Sequence, residues 1–154
     1  MTGEESRELR AEATVAVPPE RVWALLSDFS RLPQWSPETV RMLPLKPGGQ
    51  RVGQWYLGIN RRGRVWWPSR SVLTGREEGR RLAWDTRTSG ARWIWELEAD
   101  GAGTRIVHRR PVTGRPVGAR VFARLFLGGL AHHVDELEDD MQLTVDRLAA
   151  AAAV

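Results

Sequence analysis

Short runs of alternating apolar and polar residues, separated by turns containing Gly, Asn or Asp, fill the chain from residue 51 to residue 112. The pattern predicts strands at 51–59, 64–75, 80–87, 91–98 and 104–112. Two parallel strands would need a crossover connection of about a dozen residues or more, and none of these turns is that long. The segment is therefore predicted to be an antiparallel meander, and a parallel sheet is excluded.

Two further strands are predicted upstream, at 9–17 and 38–44. Prolines end the first of them and open a short helix at about 19–27, because proline is tolerated in the first turn of a helix. Two more prolines restrict 28–37 to a single helical turn.

Beyond residue 116 the apolar spacing changes from two to three or four residues, from Val121 to Leu148, with acidic residues on the opposite side. This predicts a long C-terminal helix, bent at Gly128-Gly129 and frayed from Ala149. One helix cannot cover seven twisted strands flush, so a pocket is expected between them. The predicted fold class is α+β: a curved seven-stranded antiparallel sheet gripping a long C-terminal helix, with two short helices between strands 1 and 2. A single domain is expected over 1–154, with its core at about 9–148.

Composition excludes several classes of protein. The chain has no cysteine, which excludes a disulfide scaffold, a Cys-ligated zinc site and a thiol nucleophile. A net charge of +4 is too small to indicate nucleic-acid binding by itself. No apolar run approaches the ~20 residues of a membrane span, and the N-terminus is acidic and polar, unlike a signal peptide. We therefore expect a soluble, cytoplasmic protein with no nucleic-acid partner.

The chain has eight tryptophans but only three phenylalanines and one tyrosine. Trp93, Trp95 and Leu97 share one face of a strand, and the acidic residues on the other face indicate that this one is buried. Trp84 is expected inside on the neighbouring strand. Trp66 and Trp67 point to opposite faces, and the alternation does not decide which of them is inside. Such tryptophans either pack the core or flank a cavity for a planar ligand.

Five segments in order carry a resemblance to a known family: 17–23 (VPPERVW), 28–38 (DFSRLPQWSPE), 58–63 (GINRRG), 79–84 (GRRLAW) and 93–105 (WIWELEADGAGTR). Their spacing resembles the SRPBCC superfamily of START and Bet v1-like helix-grip proteins, and specifically its polyketide cyclase/dehydrase-like branch, over residues 12–148. The resemblance implies a hydrophobic cavity beneath the C-terminal helix, with the segment around Trp35 at its mouth. It leaves the function open, because the superfamily includes lipid and hormone binders, cyclases, resistance proteins and co-chaperone modules.

The residues predicted to contact a ligand are aromatic and aliphatic side chains expected inside the fold. They are Trp35, Trp66, Trp84, Trp93, Trp95, Leu97, Ile106, Leu130 and Val134.

Three titratable residues are speculative catalytic candidates. His108 and Arg110 face the cavity if the last strand turns Ile106 inward, and a cavity histidine is an acid/base candidate. Arg70 either points outward into solvent or points inward, where Glu38 or an anionic ligand group would balance its charge.

No other motif indicates a site. His132 and His133 diverge by about 100° on a helix and predict no metal site. Asn60 and Gly63 are assigned to a hairpin turn that needs positive φ, and Asp139-Asp140 to a solvated helix face. No phosphate-binding loop or dinucleotide fingerprint is present, so no cofactor is predicted.

Three functions compete on this basis. The first is binding of a hydrophobic, aromatic or polyketide-like small molecule in the internal cavity. The second is a cyclase or aromatase that positions such a molecule and moves protons with one or two polar groups. The third and weakest is a protein-interaction module.

Overall fold

The computed structural model describes residues 8–112 and 130–154, with side chains in the last helix described from Glu136 onward. Seven strands form one antiparallel sheet in the order β1-β7-β6-β5-β4-β3-β2. The strands are β1 (Leu9–Val15), β2 (Thr39–Pro44), β3 (Trp55–Arg62), β4 (Val65–Glu77), β5 (Arg81–Thr86), β6 (Ala91–Asp100) and β7 (Gly103–Arg110).

Three helices accompany the sheet in these residues: α1 (Pro19–Leu26), a 3-10 helix (Phe29–Gln34) and the C-terminal helix α2 (Leu130–Ala152). β1 and β2 are opposite edges of the sheet, so α1 and the 3-10 helix carry the chain from one edge to the other. Pro19 begins α1, and Asp28 caps the 3-10 helix by accepting a hydrogen bond from the Ser30 amide.

Register shifts between Thr39 and Arg41 in β2, and between Leu73 and Gly75 in β4, interrupt the ladders. Such bulges bend a strand and increase its twist, which curves the sheet around α2. α2 packs against β1, β7 and α1, and its apolar stripe from Leu137 to Leu148 is buried. The predicted α+β helix-grip architecture is confirmed.

Two local predictions were wrong. Asn60 and the two residues after it belong to β3, so the turn lies at Gly63, where φ is +62°. Residues 149–152 are helical, and Ala152 is fully buried because it joins the core cluster of α1 and α2, so this end of α2 is not frayed there. The predicted bend at 128–129 lies outside the described residues.

Among the described residues, no helix combines the length and the apolarity that a membrane span requires.

Candidate ligand-binding cavity

A cavity of about 650 Å³ lies between the concave face of the sheet and α2. Strands β3 to β7 supply most of its wall, and Leu137, Asp140, Met141 and Thr144 of α2 close it from the other side. The curved sheet and α2 do not meet flush here, and the expected pocket between them is present.

Indole and imidazole rings form one wall of the cavity. Trp84 and Trp93 are register partners on β5 and β6, and Trp95 faces His108 across β6 and β7. The His108 ring stacks on Trp95 at 3.8 Å and on Trp93 at 5.6 Å between centroids, with interplanar angles of 18° and 17°. Alternation along the strands puts these side chains on one face, and pairing across the ladder brings them into contact.

Hydroxyl and amide groups form a second wall, on β3, β4 and β5. Asn60 Nδ2 donates to Ser69 Oγ at 3.0 Å and to the Trp67 carbonyl at 3.3 Å. Ser71 Oγ lies 2.9 Å from Thr86 Oγ1. Hydroxyl and amide groups are neutral, so this wall is polar without being charged.

Gly58 makes room for this polar wall. A Cβ atom at this position would lie 2.5 Å from Ser69 Oγ, so any larger residue would displace the serine from the hydrogen bond with Asn60.

His108 is neutral in this setting. Its Nδ1 lies 3.1 Å from the Ile94 carbonyl oxygen, and only 4% of the residue is exposed. Burial lowers the pKa of the ring to about 3, although the hydrogen bond with Ile94 acts in the opposite direction. A histidine with this pKa is a poor general base at neutral pH, which weakens its predicted acid/base role.

Arg110 also lines the cavity, and its guanidinium carbon lies 5.4 Å from the centre of the Trp93 ring. This cation–π contact places a positive charge beside the aromatic wall. The prediction that β7 turns His108 and Arg110 toward the cavity is thus met by the geometry, while a catalytic role for either residue stays a prediction.

An ion-pair cluster lies at one end of β3, where two of its members line the cavity, and we call Arg62, Glu38, Glu136 and Asp140 the Arg62 cluster. The Arg62 guanidinium lies 3.1 Å from Glu38 Oε1 and 3.1 Å from Glu136 Oε2, and it also pairs with Asp140. It therefore links the end of β3, the segment before β2 and the helix α2. Burial raises the pKa of the Glu38 carboxyl, against the lowering effect of Arg62.

A second concavity of about 590 Å³ adjoins the cavity at the Arg62 cluster. Glu38 and Asp140 line both spaces.

The structure decides two alternatives on β4, and one ligand contact assigned there, Trp66, was wrong. Trp66 is 54% exposed and stacks under Arg61 on the outer face, whereas Trp67 lines the cavity. Arg70 shares the outer face with Trp66 and is exposed, which is the outward of its two alternatives, and Glu38 pairs with Arg62. Because the two faces of a strand alternate strictly, the inward position of Trp67 puts Trp66 and Arg70 together on the outer face.

Trp35, Leu97 and Ile106 are buried in the packed core cluster rather than in the cavity lining. Leu97 and Ile106 are register partners, and they share that cluster with Val22 and Leu26 of α1. Their assignment as ligand contacts was therefore wrong in placement. The side chains of Leu130 and Val134 lie outside the described residues.

Sequence reasoning missed the polar wall and the Arg62 cluster. Gly58, Asn60 and Arg62 alternate on one face of β3, a signal that was available once the strand was extended past Asn60. Asp140 was assigned to a solvated face, but it meets Arg62 across 78 residues of chain, and no local pattern indicates such a pair.

No group of three or more histidine or acidic side chains within the described residues is arranged to hold a metal ion.

A family model described as polyketide cyclase / dehydrase and lipid transport matches residues 6–153. No curated protein matches the chain in sequence.

Solved structures show the same fold. The chain is similar to the Polyketide_cyc-like protein Cgl2372 from Corynebacterium glutamicum, with 24% identity and a TM-score of 0.63 over 94% of this chain and 90% of that one. It is similar to the di-domain ARO/CYC StfQ from the steffimycin biosynthetic pathway, with 18% identity and a TM-score of 0.68 over 94% of this chain and 44% of that one. It is also similar to Ara h 8.0201, with 12% identity and a TM-score of 0.63 over 95% and 97% of the two chains.

Proposed function

This chain belongs to the polyketide cyclase / dehydrase and lipid transport family, and from that membership we propose that it binds a hydrophobic, aromatic or polyketide-like small molecule between the sheet and α2. The observation that carries the proposal is the cavity itself. Its volume of about 650 Å³ lies within the range of about 300–1,000 Å³ of small-molecule pockets.

The lining of the cavity supports a planar aromatic guest. Trp84, Trp93 and Trp95 present indole rings on one wall, and aromatic stacking adds about 0.5–1.5 kcal/mol per pair to the burial of apolar surface. The hydroxyl groups on the neighbouring wall offer hydrogen bonds at a few fixed positions, which orient a guest without requiring a charge on it.

Binding is favoured over catalysis by the state of the titratable groups. His108 is neutral with a pKa of about 3, far from the value near the working pH that an efficient general acid or base has. The guanidinium of Arg110 has donors but no acceptor, so it can stabilise negative charge but is not a general base.

The alternative function is a cyclase or aromatase acting on such a molecule. The family description and the similarity to the fold of StfQ favour it. In that scheme the cavity would hold a reactive chain in a folded conformation, and Arg110 would stabilise an enolate oxygen beside Trp93.

Titration with 1,8-dihydroxyanthraquinone tests the proposal. We expect quenching of tryptophan emission in the wild type and a matching dissociation constant by calorimetry. Trp67→Ala should weaken binding about tenfold, because an indole of the lining is lost. The matched control Trp66→Ala removes the adjacent, outward-facing indole and should leave the affinity unchanged.

Equal losses of affinity in Trp67→Ala and Trp66→Ala would contradict the proposed location of the site. Absence of binding by a panel of planar aromatic compounds would contradict the proposed function. Conversion of a polyketide-type substrate at a rate that falls in Arg110→Met would favour the enzyme.

A further inference from the structure

We propose that the Nε2 atom of His108 is a hydrogen-bond acceptor that selects aromatic ligands carrying a hydroxyl group, so that the cavity distinguishes a phenol from its methyl ether. The inference rests on the proposed function and deepens it, since it names a chemical class of ligand and the residue that recognises it.

The hydrogen bond at Nδ1 determines which nitrogen carries the proton. The Ile94 carbonyl oxygen, 3.1 Å away, can only accept a hydrogen bond, so His108 Nδ1 is the donor. In a neutral imidazole the other nitrogen then holds a lone pair. Within the described residues no donor reaches Nε2, and His108 lines the cavity.

Stacking fixes the direction of that lone pair. Trp95 and Trp93 both lie nearly parallel to the imidazole, at 18° and 17°, so the ring cannot tilt without losing these contacts. A lone pair in a fixed plane is a directional acceptor, and direction gives specificity because hydrogen bonds weaken steeply when misaligned.

The ring that stacks on His108 carries a buried donor. The indole Nε1 of Trp95 is buried and has no hydrogen-bond partner, although Trp95 lines the same cavity. A hydroxyl group both donates and accepts, so it matches the acceptor of His108 and the donor of Trp95 in chemical type. An ether oxygen can accept from the indole but has no hydrogen for His108, whose lone pair would then be desolvated without a partner.

Calorimetry with 2-naphthol and 2-methoxynaphthalene tests the inference. We expect the wild type to bind 2-naphthol about tenfold more tightly, the effect of one buried hydrogen bond. The imidazole Nε2 resonance of His108 in a ¹⁵N NMR spectrum should move on addition of 2-naphthol and stay in place with 2-methoxynaphthalene. This readout requires no variant.

Two substitutions separate the nitrogens of His108. His108→Asn keeps a donor close to the backbone, where Nδ1 meets Ile94, and removes the acceptor beyond it, so the preference for 2-naphthol should disappear. His108→Gln carries an amide oxygen further out, near the Nε2 position, and should restore part of the preference. Trp84→Phe is the matched control, because it alters the lining elsewhere and should change both affinities by the same factor.

The outcomes distinguish the inference from the function on which it rests. Equal wild-type affinities for the two compounds, or an unchanged preference in a folded His108→Asn, would overturn the inference and leave the proposed function standing. Failure of both compounds to bind the wild type would overturn both.

Discussion

Replacing His108 by glutamine should make the protein less sensitive to mild acid. The pKa of His108 is about 3 in the folded protein against 6.5 for the free side chain, because burial disfavours the charged ring. Below pH 6.5 the unfolded chain therefore binds a proton at His108, whereas the buried ring of the folded protein stays neutral until the pH approaches 3. Stability present above pH 6.5 is lost as the pH falls toward 3.

The size of the effect follows from the two pKa values. One pH unit between them is worth about 1.4 kcal/mol, so acidification from pH 7 to pH 5 should cost the wild type about 2 kcal/mol through this residue alone. His108→Gln has no titratable group at this position, so its stability lacks this dependence on pH. Whatever the variant loses at pH 7, the difference in unfolding free energy between the two proteins should shrink by about 2 kcal/mol at pH 5.

Urea unfolding at pH 7, 6 and 5 measures this difference. The carboxyl groups contribute to the pH dependence of both proteins and cancel in the comparison, including Glu12, whose pKa is lowered chiefly by its hydrogen bond with Arg105. Met141→Leu changes a buried residue and involves no titratable group. Its unfolding free energy should therefore vary with pH in parallel with that of the wild type. Parallel curves for His108→Gln and the wild type, or an NMR titration of His108 near pH 6.5, would refute the reasoning.

Three further predictions concern packing around the cavity. Arg62→Met should lower the unfolding free energy at pH 7 by about 1–2 kcal/mol, because three carboxylates lose their shared cation, and urea midpoints should show less loss at lower pH, where protonation of Glu38, whose pKa burial raises, removes one of these charges. Gly58→Ala should cost about 1–2 kcal/mol by displacing Ser69, and thermal unfolding that matches the wild type would contradict this. Met141→Ala should cost about 2–4 kcal/mol in urea unfolding, whereas the half-exposed Leu143→Ala should stay within about 0.5 kcal/mol; equal losses would count against the assigned faces of α2.

The fold could be predicted because it follows from local patterns. Period-two alternation with short turns allows only an antiparallel meander, and the change to a period of three to four residues indicates the closing helix. The same alternation grouped Trp93, Trp95 and Leu97 correctly and placed His108 with Arg110. The strand ends were predicted less accurately. Because the third strand was predicted to end at residue 59, Asn60 was assigned to a turn and its place in the cavity wall was missed.

What the sequence by itself determined is the set of residues that share a face and the architecture that their periods allow. Only the tertiary structure decided which face of β4 is concave, and hence that Trp67 lines the cavity while Trp66 and Arg70 meet solvent. It also decided that Leu97 fills the core whereas Trp95, two residues earlier, borders open space. The physical reason is that alternation along one strand allows either face to be the inner one. The curvature of the sheet and the position of the helix select one face, and both depend on contacts between distant parts of the chain.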